Sequence, residues 1–281
     1  GSPLTVAVSN AGGLGSLPCA MLSAEAMRSE LTAIRTQTEK PYNVNFFCHT
    51  PPKANAKREA KWRASLSHYY EEYGISMDTI PSGGGREPFG LEALEALEEF
   101  KPAVVSFHFG LPSPDLSDDL TTQVGTFSLV PRIVQAVRLP VIAAGGIADA
   151  KGVAAALSLG AAGVQVGTAY LLCPEAATRE VHRAALKSEA AGHTAITNVF
   201  SGRPARSIVN RVIEEHGPIS AETPDFPMAS TAIAPLRAEA ESRGSGDFSP
   251  LWSGQNPTGC KEIPAAQLTL KLAGVASTTG A

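Results

Sequence analysis

Two hydrophobic patterns alternate along the chain. Short apolar runs read as strands: Tyr42-Asn43-Val44-Asn45-Phe46-Phe47, Pro102 to Phe109, Leu139-Pro140-Val141-Ile142-Ala143-Ala144 and Gly163-Val164-Gln165-Val166. A turn from Asn10 to Leu17 leads into another short strand. Between these runs the apolar residues take helical spacing. Met27, Leu31 and Ile34 follow a capping Ser23, and Leu129, Ile133, Val134 and Val137 share a later face. Asp149 caps a small helix running to Leu159, and Pro174 stands at the head of a helix ending near Gly192. Leu4 to Val8 reads as the end of a helix. Strand and helix in alternation predict an α/β fold with a parallel sheet.

Residues 51–100 interrupt the alternation as a helical excursion. It has a charged stretch from Lys53 to Tyr73 with Trp62, Leu66 and Tyr70 on one face, a Gly/Pro loop, and a helix begun by Leu91, Leu94 and Leu97. After Phe200 the chain reads as loop-rich, and residues 276–281 as a disordered tail. The organisation expected is a single domain over residues 1–275.

Composition narrows the function classes. Hydrophobic residues make up 43% and charged residues 18% of 281, which excludes wholesale disorder. A net charge of −4 gives no global attraction for nucleic acid or anionic lipid. No apolar run reaches the roughly 18 residues a membrane helix needs, and no basic segment precedes an apolar leader. A cytoplasmic protein with no membrane partner is expected. Cys19, Cys48, Cys173 and Cys260 form no CxxC pair and read as buried free thiols. Cys48 and His49 lack a third ligand, so no metal site is expected. His68, His182, His193 and His216 read as surface residues, and Asp118 with Asp119 as a helix start or solvated turn.

The chemistry concentrates between Pro140 and Thr168. Two successive strands end in glycine turns, Ala144-Gly145-Gly146-Ile147 and Val166-Gly167-Thr168. Glycine lets the backbone approach an anion, and adjacent N–H groups then donate to phosphate oxygens. Paired phosphate turns after neighbouring strands are frequent in (β/α)8 barrels. His108 sits at the C-terminal end of its strand, the end where barrel active sites lie.

Val8 to Gly15, Val141 to Ile147, Gly163 to Thr168 and Ser201-Gly202-Arg203-Pro204-Ala205-Arg206 together resemble the nitronate monooxygenases. The resemblance runs from Val8 to Gln255. It implies an FMN-containing TIM barrel that oxidises alkyl nitronates with O2. On that resemblance Asn45 contacts the flavin, and Gly145, Gly146, Gln165, Val166, Gly167 and Thr168 fall at the cofactor-binding positions. His108 matches a histidine facing the active site, the candidate catalytic residue. Trp252 resembles part of a segment packed near the cofactor, and core packing explains it equally well. Flavin-dependent enoyl-acyl-carrier-protein reductases share the glycine turns. A non-catalytic flavin-binding remnant is the other alternative.

The chain departs from the family pattern in two places. The family's first strand, with its flavin-underlying turn, is not found. Two βα units between the His108 strand and the Val141 strand are also not found, one of them carrying a Gly-Gly-His turn whose histidine is the family's base or nitronate anchor. The stretch from Leu111 to Val141 has room for one βα crossover. The expected fold is therefore an incomplete TIM-barrel-like α/β domain with about five of the eight strands a closed barrel needs.

Overall fold

The computed structural model describes residues 1–53, 55–81, 87–109 and 124–275. Its elements in chain order are α1 (Ser2–Asn10), β1 (Gly15–Pro18), α2 (Ala24–Gln37), β2 (Tyr42–Phe47), α3 (Ala56–Ser65), α4 (Ser67–Tyr73), α5 (Leu91–Phe100), β3 (Val104–His108), α6 (Thr126–Ala136), β4 (Ile142–Ala144), α7 (Ala150–Ser158), β5 (Gly163–Gln165), α8 (Glu180–Lys187), β6 (Thr194–Thr197), β7 (Ala205–Ile208), α9 (Arg211–His216), α10 (Ala229–Ser242) and α11 (Ala265–Leu272). They divide into two compact units. The first comprises Gly1–His49, Pro88–Ala177 and Asn256–Ala281, the second Thr50–Glu87 and Thr178–Gln255.

The first unit carries the parallel strands foreseen from the alternation. β1, β2 and β3 form one parallel sheet, and β4 and β5 another. Ser23 caps α2 by accepting from the Ala26 N–H at 3.2 Å, and Asp149 caps α7 by accepting from the Gly152 N–H at 2.8 Å. Met27, Leu31 and Ile34 are buried with Leu17, Val44 and Phe46 from the strands. Each such side chain contributes about 1.5–3 kcal/mol on burial. Strand alternation sends Val44 and Phe46 into that core, which leaves Asn43 and Asn45 for the opposite face. α11 buries Ala265, Leu268 and Leu272 with Ala169 and Cys173, and the Glu175 carboxylate accepts from the first N–H of the helix.

The second unit is built on the Trp62, Leu66 and Tyr70 face. All three are fully buried, among Val199, Phe200, Val212, Ile233, Leu236 and Phe248. β6 and β7 form an antiparallel pair.

Several elements differ from the expectation. The excursion divides: residues 50–87 belong to the second unit, while α5 packs with α2 in the first. The stretch after Phe200 is not loop-rich, since α9, α10 and α11 lie within it. α10 forms even with Pro235 in its interior. Burial of Ala232, Ile233, Leu236 and Ala240 outweighs the lost backbone hydrogen bond. Pro174 heads no helix; a 3-10 turn spans Thr168–Leu172 and α8 begins only at Glu180. The tail 276–281, Asp118, Asp119 and the Pro112–Asp115 junction lie outside the described residues. Among the described residues no helix is long and apolar enough to cross a membrane. The four cysteines are free; Cys19 and Cys173 are buried as expected, whereas Cys48 and Cys260 are only half-buried. Burial pushes the Cys19 and Cys260 thiols up to about 11, which keeps them protonated at neutral pH.

His182 and His216 are half-buried rather than surface residues. Burial lowers the pKa of both. A carbonyl bond from the His182 Nε2–H to Trp252 partly offsets this for His182, and His68 adds to it for His216, against Glu215 and Glu222. The native state therefore binds fewer protons than the unfolded chain, whose histidines titrate near about 6.5. The stabilisation is complete above that pH and declines as pH falls through it toward the lowered native values. A melting temperature followed by circular dichroism from pH 7.5 to 5 should fall on acidification. A His182→Gln, His216→Gln double variant should show a flatter dependence. Undiminished acid sensitivity in that variant would exclude these two groups as its source.

Candidate active site

One face of the β1-β2-β3 sheet is polar, which is unusual for parallel strands. The Asn45 side chain is only 9% exposed and lies beside Ser106 in register, and Phe47 lies beside His108. The Asn45 Nδ2 group donates to Ser106 Oγ at 2.8 Å and to the Ser106 carbonyl at 3.2 Å. Asn43 Nδ2 donates to the same Ser106 hydroxyl at 2.9 Å and to Ser16 Oγ at 2.7 Å. With its amino group so engaged, Asn45 presents Oδ1 to His108 Nδ1 at 2.9 Å. An amide oxygen only accepts, so the network assigns the proton to Nδ1. In the neutral ring Nε2 is then the basic nitrogen, carried by an exposed side chain. Asn43 Oδ1 is buried on this face with no hydrogen-bond partner among the described residues.

The His108 ring stands edge-on to Phe47, and Phe109 packs on Phe47 at 4.8 Å between centroids. Phe109 has φ +67, a left-handed conformation costly for a residue with a Cβ. Strain of this kind concentrates where geometry serves function.

The two glycine turns follow hydrogen-bonded parallel strands. Ala144 and Gln165 are register partners, so both turns leave the same end of the β4-β5 sheet. Gly145 and Gly146 have φ +100 and +74, conformations that favour glycine. A Cβ on Gly146 or Gly167 would meet no atom within 4 Å. That open space in front of two backbone turns fits a bound phosphate. Gly145, Gly146, Gln165 and Gly167 are exposed, whereas Val166 packs into the α11 core and offers only its backbone. Thr168 opens the 3-10 turn, so no α-helix dipole follows this turn directly.

Sequence reasoning missed the segment that touches both turns. Asn256 Nδ2 donates to the Gly146 carbonyl at 3.2 Å, and the Cys260 thiol donates to the Thr168 carbonyl at 3.1 Å. Gly259 is so close that a Cβ there would lie 2.4 Å from the Ala148 carbonyl. Asn-Pro-Thr-Gly is legible as a turn, but nothing in it names its distant partner. Trp252, by contrast, packs edge-on to Phe200 at 5.5 Å in the second unit. Arg206 donates to Thr194 Oγ1 across the antiparallel pair. Among the described residues no three His, Cys, Asp or Glu side chains are grouped to hold a metal.

The nitronate monooxygenase family model matches residues 1–124 and 118–274. A nitronate monooxygenase from Pseudomonas aeruginosa is 36% identical over 317 aligned positions, covering 94% of this chain and 90% of the relative. One from Paraburkholderia phytofirmans is also 36% identical, covering 96% of this chain and 87% of the relative. Among solved structures, nitroalkane oxidase from Streptomyces ansochromogenes superposes with a TM-score of 0.82 at 29% identity, covering 97% of this chain and 91% of that one.

Proposed function

The chain belongs to the nitronate monooxygenase family, an enzyme family of flavin-dependent oxidoreductases, and on that premise we propose that it binds FMN and oxidises alkyl nitronates with O2 in the cytoplasm. The observation that carries this reading is the Asn45–His108 pair, which among the described residues leaves Nε2 available to a substrate. Gly145, Gly146, Gly167 and Thr168 would hold the cofactor phosphate, with Asn45 and Gln165 against the rest of the flavin. FMN, when bound, supplies the electron transfer between substrate and O2.

The chain's own residues supply binding and proton control. Neutral His108 accepts a proton at Nε2, such as the Cα proton of a nitroalkane that has not ionised. Protonated His108 donates from Nε2 to a nitronate oxygen while Nδ1–H stays on Asn45 Oδ1. Phe47 and Phe109 flank the ring, with centroids 6.2 and 6.1 Å from it. The same hydrogen bond thus serves both charge states.

We also propose that the barrel lacks two βα units between β3 and β4. Among the described residues β3 pairs only with β2, and β4 only with β5. The family match falls in two pieces that meet at residues 118–124, and the 317-position alignment exceeds the chain's 281 residues. Both observations support segments in the relatives that face gaps here. They also favour the second reading, a flavin-binding chain without turnover. Purified protein mixed with FMN and desalted should stay yellow, then consume O2 and release nitrite with an alkyl nitronate. Retained flavin without turnover would support the second reading; a colourless protein would remove both.

A further inference from the structure

Both carbonyls of the Gly145-Gly146 turn are held from outside it. Thr126 Oγ1, in the first turn of α6, lies 3.1 Å from the oxygens of both Ala144 and Gly145 and shares its one proton between them. Asn256 Nδ2 holds the Gly146 oxygen at 3.2 Å. In a trans peptide the C=O and the following N–H point in opposite directions. Holding the Gly145 oxygen therefore aims the Gly146 N–H away from Thr126. Holding the Gly146 oxygen aims the Ile147 N–H away from Asn256. Among the described residues neither N–H has a protein acceptor.

The clamp is itself anchored. Asn256 Oδ1 accepts from the Thr258 N–H at 3.2 Å and the Thr258 hydroxyl at 2.6 Å, which sets the amide so that Nδ2 faces Gly146. Gly259 lies against Ala148, so the loop has little room to shift. Glycines with positive φ are otherwise free to flip their peptides, and a flipped peptide would turn an oxygen toward an anion.

We propose that Thr126 and Asn256 are positioning residues for a phosphate cradle. By fixing the two carbonyls they preset the Gly146 and Ile147 N–H groups to receive the FMN phosphate. The inference rests on the reading that this turn takes the phosphate, and the ligand comparison separates the two. The full chain is titrated with FMN and with riboflavin, which lacks the phosphate, following flavin fluorescence. The parent chain should prefer FMN. Thr126→Val and Asn256→Ala should each weaken FMN binding about tenfold, the effect of one lost hydrogen bond, and leave riboflavin affinity unchanged. Thr126→Ser, which keeps the hydroxyl, should retain the preference.

A parent chain that binds both flavins equally would overturn the phosphate reading and this inference with it. A parent that prefers FMN, with variants that keep the preference, would overturn the inference alone. Variants that weaken both flavins equally would also overturn it, because the residues would then hold up the fold rather than aim the amides. Unchanged riboflavin affinity doubles as the check that each variant is folded.

Discussion

Replacing His108 with alanine should lower kcat/KM for a neutral nitroalkane by about 10²–10⁴-fold, the range a positioned general base supplies. The preformed nitronate should suffer less, because its Cα proton is already gone and only the contact to its oxygens is lost. The argument starts from Asn45, whose amino group is occupied by Ser106 and whose oxygen can only accept from Nδ1. Nε2 is then the nitrogen left for the proton. Steady-state O2 consumption with both forms of one compound measures the difference. An equal loss for the two substrates would make His108 an anchor rather than a base. No loss for either would remove it from the site.

Trp62→Ala should destabilise the second unit by about 3–5 kcal/mol, the range for truncating a buried large aromatic. The side chain is fully buried in the hydrophobic cluster of that unit with Leu66, Tyr70, Leu236 and Phe248, and its Nε1–H donates to the Ala229 carbonyl at 3.3 Å. Truncation opens a cavity between α3 and α10 and removes the indole's hydrogen bond to the Ala229 carbonyl. Trp62→Phe should cost less, since it keeps most of the packing and loses only the donor and part of the ring. Urea unfolding can be read from Trp252, the other tryptophan, which packs in the same unit. A midpoint unchanged by Trp62→Ala would mean that this cluster does not hold the unit together.

Much of the local structure was legible because it depends on near neighbours. Periodicity located the five parallel strands and the α2 face of Met27, Leu31 and Ile34, and side-chain chemistry located the caps at Ser23 and Asp149. The stretch after Phe200 was read as loop-rich, and the helices found there show the limit of local reading. α10 forms, Pro235 included, because distant side chains bury its apolar face. Pro174 misled in the opposite sense, since a residue suited to a helix start does not create one.

The individual site residues were likewise visible as types: a histidine and an asparagine at strand ends, and glycines in two turns. Their order and spacing suffice for the strands, the turns and the family, because covalent neighbours and repeat period set those. Folding decided the rest. Only strand register brings Ser106 beside Asn45 and so assigns the His108 proton. Only chain closure brings Asn256 to Gly146, 110 positions away in sequence. A hydrogen bond acts over about 3 Å, and no pattern of nearby residues records which distant donor will come within that reach.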